Sequence, residues 1–201
     1  MEGSTQTLPD DLKLAFSIDL ATQKPMAMVL NLVGVGAAFF TIWLLSIISI
    51  RIHPELSGTF SGGTFSLSGF LLLVLIFPFT MFVHEIIHGI FFWIFTRSKP
   101  VFALKLTYAY AAAPDWYIPK RKYWLISLAP LFLIGMAGIV VMVLCSPAFV
   151  LPAIVAVGFN TGGAIGDIWV VARSFRFPTS CLVKDTGHGV YFYQPGRPDN
   201  K

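Results

Sequence analysis

Residues 84–88 read His-Glu-Ile-Ile-His. On a helix, side chains four apart point the same way, so His84 and His88 can both direct a ring nitrogen at one ion, and Glu85 falls on the face shared with His88. This spacing supplies two zinc ligands and a carboxylate close enough to take a proton from water activated by the metal. The surrounding run, "MFVHEIIHGIFF" (residues 81–92), otherwise reads as apolar helix. Ionisable groups inside such a segment cost roughly 2.5–3.5 kcal/mol each on insertion scales, so they mark a functional site or a buried pairing. The competing explanation is a hydrogen-bonded structural cluster.

A catalytic zinc takes three protein ligands and keeps one position open. A metzincin would place Gly and then His at the positions held here by Phe91 and Ile94, so that class is excluded. No glutamate follows the motif, because the only glutamates are Glu2, Glu55 and Glu85. Of the downstream aspartates only Asp167 lies in an apolar segment, "GFNTGGAIGDIWVV", about six residues before Arg173. His84 and His88 precede the end of their own apolar segment by about 8 to 12 residues, which at 1.5 Å per residue reaches a similar depth. Asp167 is therefore the candidate third ligand; the alternative is a hydrogen-bonded residue on a packing face. Gly158, Gly162 and Gly166 recur every four residues and predict a smooth stripe that lets this helix approach another closely. Asn160, on the face of Asp167, is a candidate for orienting a substrate carbonyl or holding the aspartate, with an interhelical hydrogen bond as the other possibility.

The elements that must position these groups are membrane helices. The chain has 201 residues, 56% apolar and 12% charged, a composition that a water-soluble core does not need. Four apolar runs, about 26–50, 69–95, 123–145 and 148–172, approach or exceed the roughly 20 residues needed to cross a bilayer. The expected fold is an all-α membrane protein of four transmembrane helices forming a single integral domain over residues 1–201. With four crossings, the two tails and the 97–122 link share one side. That side holds 13 of the 14 Lys and Arg residues, Arg51 being the exception, and is assigned to the cytoplasm. The first 25 residues carry no apolar core or cleavage site of a signal peptide, so the first helix would act as its own insertion signal.

The net charge of +4 does not indicate nucleic acid, since the basic residues flank membrane segments. Cys145 and Cys181 fall on opposite sides, which excludes a disulfide between them. "SGTFSGGTFSLSG" (57–69) reads as an outer linker. Phe102, Leu104, Leu106, Tyr108 and Tyr110 alternate with smaller or polar residues and predict a short strand, while "CLVKDTGHGVYFYQPG" predicts a C-terminal hairpin. Its Asp185-Thr186-Gly187 fits a turn better than an aspartic-protease loop, being preceded by Lys184 and present once. His53 and His188 fall in an outer loop and a cytoplasmic turn, with His188 a minor ligand candidate. A transporter is disfavoured because no duplicated halves appear.

HEIIH in one membrane helix, a helix with a central proline at Pro130, and a helix carrying Asn160 and Asp167 together look like the three-helix core of site-2 proteases, the intramembrane zinc metalloproteases. This covers about residues 69–173. Over most of its length the chain more closely resembles a membrane family described as putative zincin peptidases, including "KRKYWLISLAP" (120–130) and "VKDTGHG" (183–189). The resemblance implies His84 and His88 as zinc ligands, Glu85 as general base and Asp167 as third ligand. The expected activity is zinc-dependent hydrolysis of membrane proteins or peptides near the cytoplasmic face of the cell membrane. The alternative is a non-catalytic scaffold or regulator braced by the metal.

Overall fold

The computed structural model describes residues 3–19, 22–60, 67–104 and 109–196. In chain order the elements are β1 (Leu12–Asp19), α1 (Lys24–Ile52), the short α2 (Ser57–Phe60), α3 (Leu67–Thr96), β2 (Val101–Leu104), β3 (Ala109–Ala112), β4 (Ile118–Pro119), α4 (Lys120–Leu144), α5 (Val150–Gly163), α6 (Ile165–Ser174), β5 (Leu182–Asp185) and β6 (Gly189–Pro195). Helices α1, α3 and α4 are each long and apolar enough to cross a membrane. Their outward faces are apolar, with Leu32, Phe39, Phe79 and Leu144 each more than two-thirds exposed.

The fourth apolar run is not the continuous helix expected over 148–172. It breaks at Ala164 into α5 and α6, and the pair bends by 41°. Gly162 and Gly163 weaken the helix locally, each costing about 1 kcal/mol relative to alanine. The Ala164 N–H closes α5 on the Asn160 carbonyl at 2.9 Å. A fresh helix then starts at Ile165, which places Asp167 in its first turn. There the partial positive charge of the helix N-terminus favours the carboxylate.

The chain divides into two compact units. The first comprises residues 1–29, 85–129 and 166–201. It is organised by a four-stranded antiparallel sheet in the order β1-β6-β5-β4, which joins the N-terminal tail, the 97–122 link and the C-terminal tail. These are the three segments whose charge placed them on one side. Ile18, Phe92, Ile118, Ile126, Val183 and Phe192 form its core. The expected C-terminal hairpin is β5–β6, and its Asp-Thr-Gly is a turn: Gly187 N–H donates to Asp185 Oδ1 at 2.8 Å and the Thr186 hydroxyl to the Gly189 carbonyl at 3.0 Å. Strand β1 was unforeseen, although Leu12, Leu14, Phe16 and Ile18 alternate as a strand requires. A bulge between Leu14 and Phe16 breaks that alternation, leaving Leu14 exposed.

The predicted strand at 101–110 is instead two strands. Val101 pairs with Ala112 and Leu104 with Ala109 in the antiparallel β2–β3 hairpin, while residues 105–108 of that run lie outside the described residues. Phe102 lies against α3 at Gly89, where a Cβ would stand 2.2 Å from its ring.

The second unit comprises residues 30–84 and 130–165, with Leu56, Met142, Val150 and Ile154 in its core. Here the glycine stripe makes the close helix approach expected of it. Gly162 meets Gly34 and Gly158 meets Ala38 and Ile42, so the stripe packs α5 against α1; Gly163 faces Met81 of α3, and Gly166 has open space. His53 is also engaged in packing this unit, with one ring nitrogen 2.9 Å from the Met142 carbonyl. Both cysteines are free thiols, Cys145 exposed and Cys181 buried.

Candidate metal centre

Helix α3 places His84 and His88 one turn apart on one buried face, with 3% and 7% of their surfaces exposed. Each ring is held through Nδ1. His84 Nδ1 is 2.9 Å from Asn160 Oδ1, and Asn160 Nδ2 donates to the Pro130 carbonyl at 3.2 Å. With the amide group committed to a carbonyl, Oδ1 is the end turned to His84, so Nδ1 is the donor and Nε2 carries the lone pair.

His88 is oriented by the backbone of α4. Pro130 has no N–H to offer the carbonyl four residues earlier, that of Ile126. His88 Nδ1 lies 2.9 Å from this Ile126 oxygen. The proline inside α4 therefore does more than bend it, because it leaves an acceptor for the second histidine. Both histidines have the outer hydrogen bond that zinc-ligating imidazoles characteristically make to a carbonyl or carboxylate.

Asp167 Oδ2 stands 3.5 Å from His88 Nε2. That is long for a charge-assisted hydrogen bond of about 2.7–2.9 Å. It fits the roughly 3.4 Å between two ligand atoms held about 2.0–2.2 Å from one tetrahedral ion. Ligand atoms of His84, His88 and Asp167 all lie within 4.8 Å of one another, and the three could hold a metal ion. By donor type and by the fixing of Nδ1, the set fits zinc.

Glu85 reaches strand β3, where its Oε2 accepts the Ala111 N–H at 2.8 Å. In the β2–β3 register Ala111 faces Phe102. Its N–H is turned from β2 toward the carboxylate, so the outer edge of β3 borders Glu85. Asn160 is fully buried, and of the roles open to it the interhelical hydrogen bond is the one displayed. His188 is exposed and packs edge-on against Tyr110.

Two further groups had no assigned part in the sequence. Tyr123 of α4 donates its hydroxyl to Asp185 Oδ2 at 2.7 Å, and burial pushes the Asp185 carboxyl above its usual range against the Tyr123 and Gly187 hydrogen bonds that favour ionisation. Lys120, almost fully buried, donates to the Ser174 and Phe177 carbonyls at the end of α6, with Trp124 donating to the Ser174 hydroxyl. The start of α4 thus ties down the helix that carries Asp167.

No curated protein and no solved structure matches the chain. A family model described as "Putative zincin peptidase" matches residues 65–182, a span that includes His84, Glu85, His88, Asn160 and Asp167, and the chain belongs to that family.

Proposed function

We propose that this protein is a membrane-embedded zinc metallopeptidase of the site-2 type, hydrolysing peptide bonds of membrane-associated substrates near the cytoplasmic face. The observation that carries the reading is the gathering of His84, His88 and Asp167, with both Nδ1 atoms engaged by protein acceptors and Glu85 one residue away. His84, His88 and Asp167 would hold the zinc, which when bound would supply Lewis-acid activation of the scissile carbonyl and of the attacking water.

Glu85 is the proton carrier. Its carboxylate accepts a proton from the attacking water and returns it to the nitrogen of the leaving amine. Asn160 and the Ile126 carbonyl keep the two imidazoles in one tautomer and orientation. A substrate entering as a helix must unwind, since its carbonyls are otherwise hidden by their own hydrogen bonds. An extended segment laid along the outer edge of β3 would present its carbonyls beside Glu85 by strand addition.

In this reading α1, α3, α4 and the bent α5–α6 pair span a bilayer, forming a multi-pass cell-membrane protein with both termini cytoplasmic. Support comes from the apolar outward faces and from the sheet that unites the basic tails and the 97–122 link.

The test joins metal content to turnover. Detergent-purified protein should carry near-stoichiometric zinc, His84→Ala and Asp167→Ala should lose it, and Glu85→Gln should keep it while losing cleavage of model membrane substrates. Cleavage by Glu85→Gln at the wild-type rate would sink the mechanism. Zinc retention without any cleavage by the wild type would favour a metal-braced scaffold.

A further inference from the structure

The C-terminal turn lies outside the metal centre, yet it touches the elements that hold two of its groups. Gly187 adopts φ +77°, and a Cβ there would stand 2.0 Å from the ring of Tyr110. His188, next in the turn, packs its ring edge-on against the same tyrosine with centroids 5.1 Å apart. Tyr110 immediately precedes Ala111 in β3, and the Ala111 N–H is the donor to Glu85. On its other side the turn is anchored through Asp185, which accepts the Tyr123 hydroxyl at 2.7 Å. Tyr123 stands one turn before Ile126 on α4, the residue whose carbonyl orients His88.

We infer that the Asp185–Gly189 turn is a positioning brace: through Tyr110 it sets the distance of β3 from Glu85, and through Tyr123 it ties that strand to the helix that orients His88. The close fit gives the reason. A turn that meets a tyrosine ring with no room for one methyl group fixes the ring, and the strand moves with it. Asp185, whose oxygens accept the Gly187 N–H and the Tyr123 hydroxyl, keeps the turn from drifting along the strand. Gly187, Tyr110 and Tyr123 are thus positioning residues for the general base. The inference rests on Glu85 having that role in the peptidase reading, although the brace itself can be measured without substrate.

The experiment is amide hydrogen exchange at Ala111 in the purified, zinc-loaded full-length protein, for wild type, Gly187→Ala, Tyr123→Phe and Gly196→Ala. Gly187→Ala should accelerate exchange at Ala111 by about tenfold or more, as expected when a backbone donor loses a charged acceptor. Tyr123→Phe, which removes only the hydroxyl, should accelerate it less. Gly196→Ala, directly after β6 and with only ordinary contacts to Lys13, should match wild type. Zinc per chain should be unchanged throughout, and cleavage by Gly187→Ala should show a lower kcat at similar KM. Wild-type exchange at Ala111 in both Gly187→Ala and Tyr123→Phe would overturn the brace, as would acceleration spread uniformly over the sheet. If Gly187→Ala fails to fold, Tyr123→Phe alone decides by the same criterion. A wild type that cleaves nothing would overturn the peptidase reading, while the exchange result still decides the brace.

Discussion

Replacing Asn160 by alanine is expected to weaken zinc binding by about 10- to 100-fold while leaving the helices assembled. Asn160 is fully buried, with Oδ1 2.9 Å from His84 Nδ1 and Nδ2 3.2 Å from the Pro130 carbonyl. Alanine removes the acceptor that selects the His84 tautomer, in a setting where an unmatched buried polar group costs about 1–3 kcal/mol. At about 1.4 kcal/mol per tenfold change in affinity, the expected loss is roughly 1.4–2.8 kcal/mol, the size of one such hydrogen bond. The assay is competition with a chelator of known affinity, comparing wild type, Asn160→Ala and Thr161→Ala. Thr161 is the matched control because its hydroxyl bonds to the Val157 carbonyl of its own helix, at 2.8 Å. If Asn160→Ala held zinc as tightly as Thr161→Ala, the reasoning that Asn160 orients a ligand would be refuted.

Three further outcomes follow from packing and charge. Gly162→Leu should lower the thermal midpoint of the purified protein, because a Cβ there lies 2.7 Å from the Gly34 carbonyl oxygen and overpacking costs about 1–3 kcal/mol; Gly36→Leu, with open space at Gly36, should not, and equal midpoints would contradict the α1–α5 contact. Burial holds the Cys181 thiol up at about 11, with Lys120 only partly opposing it. Its folded pKa being raised, the stability it contributes is fully present below the ordinary thiol pKa and fades as pH rises toward 11, so at pH 8 a maleimide should label Cys145 alone; two fast-reacting thiols would count against this. Lys120→Met should expose the chain after Ser174 to limited proteolysis, since the loss of charged hydrogen bonds to the α6 terminus costs about 1.5–3 kcal/mol each; an unchanged digestion pattern would show that Lys120 does not secure that end.

The motif in α3 was legible because its geometry is local. Four residues of helix bring His84 and His88 onto one face whatever surrounds them, and polarity inside an apolar run singled out Asp167. The C-terminal hairpin was legible for the same reason, its turn residues lying between two β-favouring runs. Other features stay open in the sequence where one pattern admits two partners. The glycines of α5 announced a close approach but not the identity of the approaching helix, which is α1. The 101–110 alternation suited one strand or two, and the pairing of Val101 with Ala112 is a matter of chain reversal. The break at Ala164 leaves no mark in hydropathy, because glycine and alanine continue the apolar run; Gly162 and Gly163 are the signal the sequence offers.

The sequence by itself determined the residue chemistry: two imidazoles and a carboxylate at helical spacing, an aspartate in a later apolar run, and four apolar segments of helix length. Tertiary structure alone decided what orients those groups. The Ile126 carbonyl on His88 and the Ala111 N–H on Glu85 are backbone atoms of a kind found all along the chain, so no letter in the sequence marks them. They act at these positions because α4 contains a proline at 130 and because β3 lies beside α3. Such selection comes from contacts between segments distant in the chain, which the packed fold alone specifies.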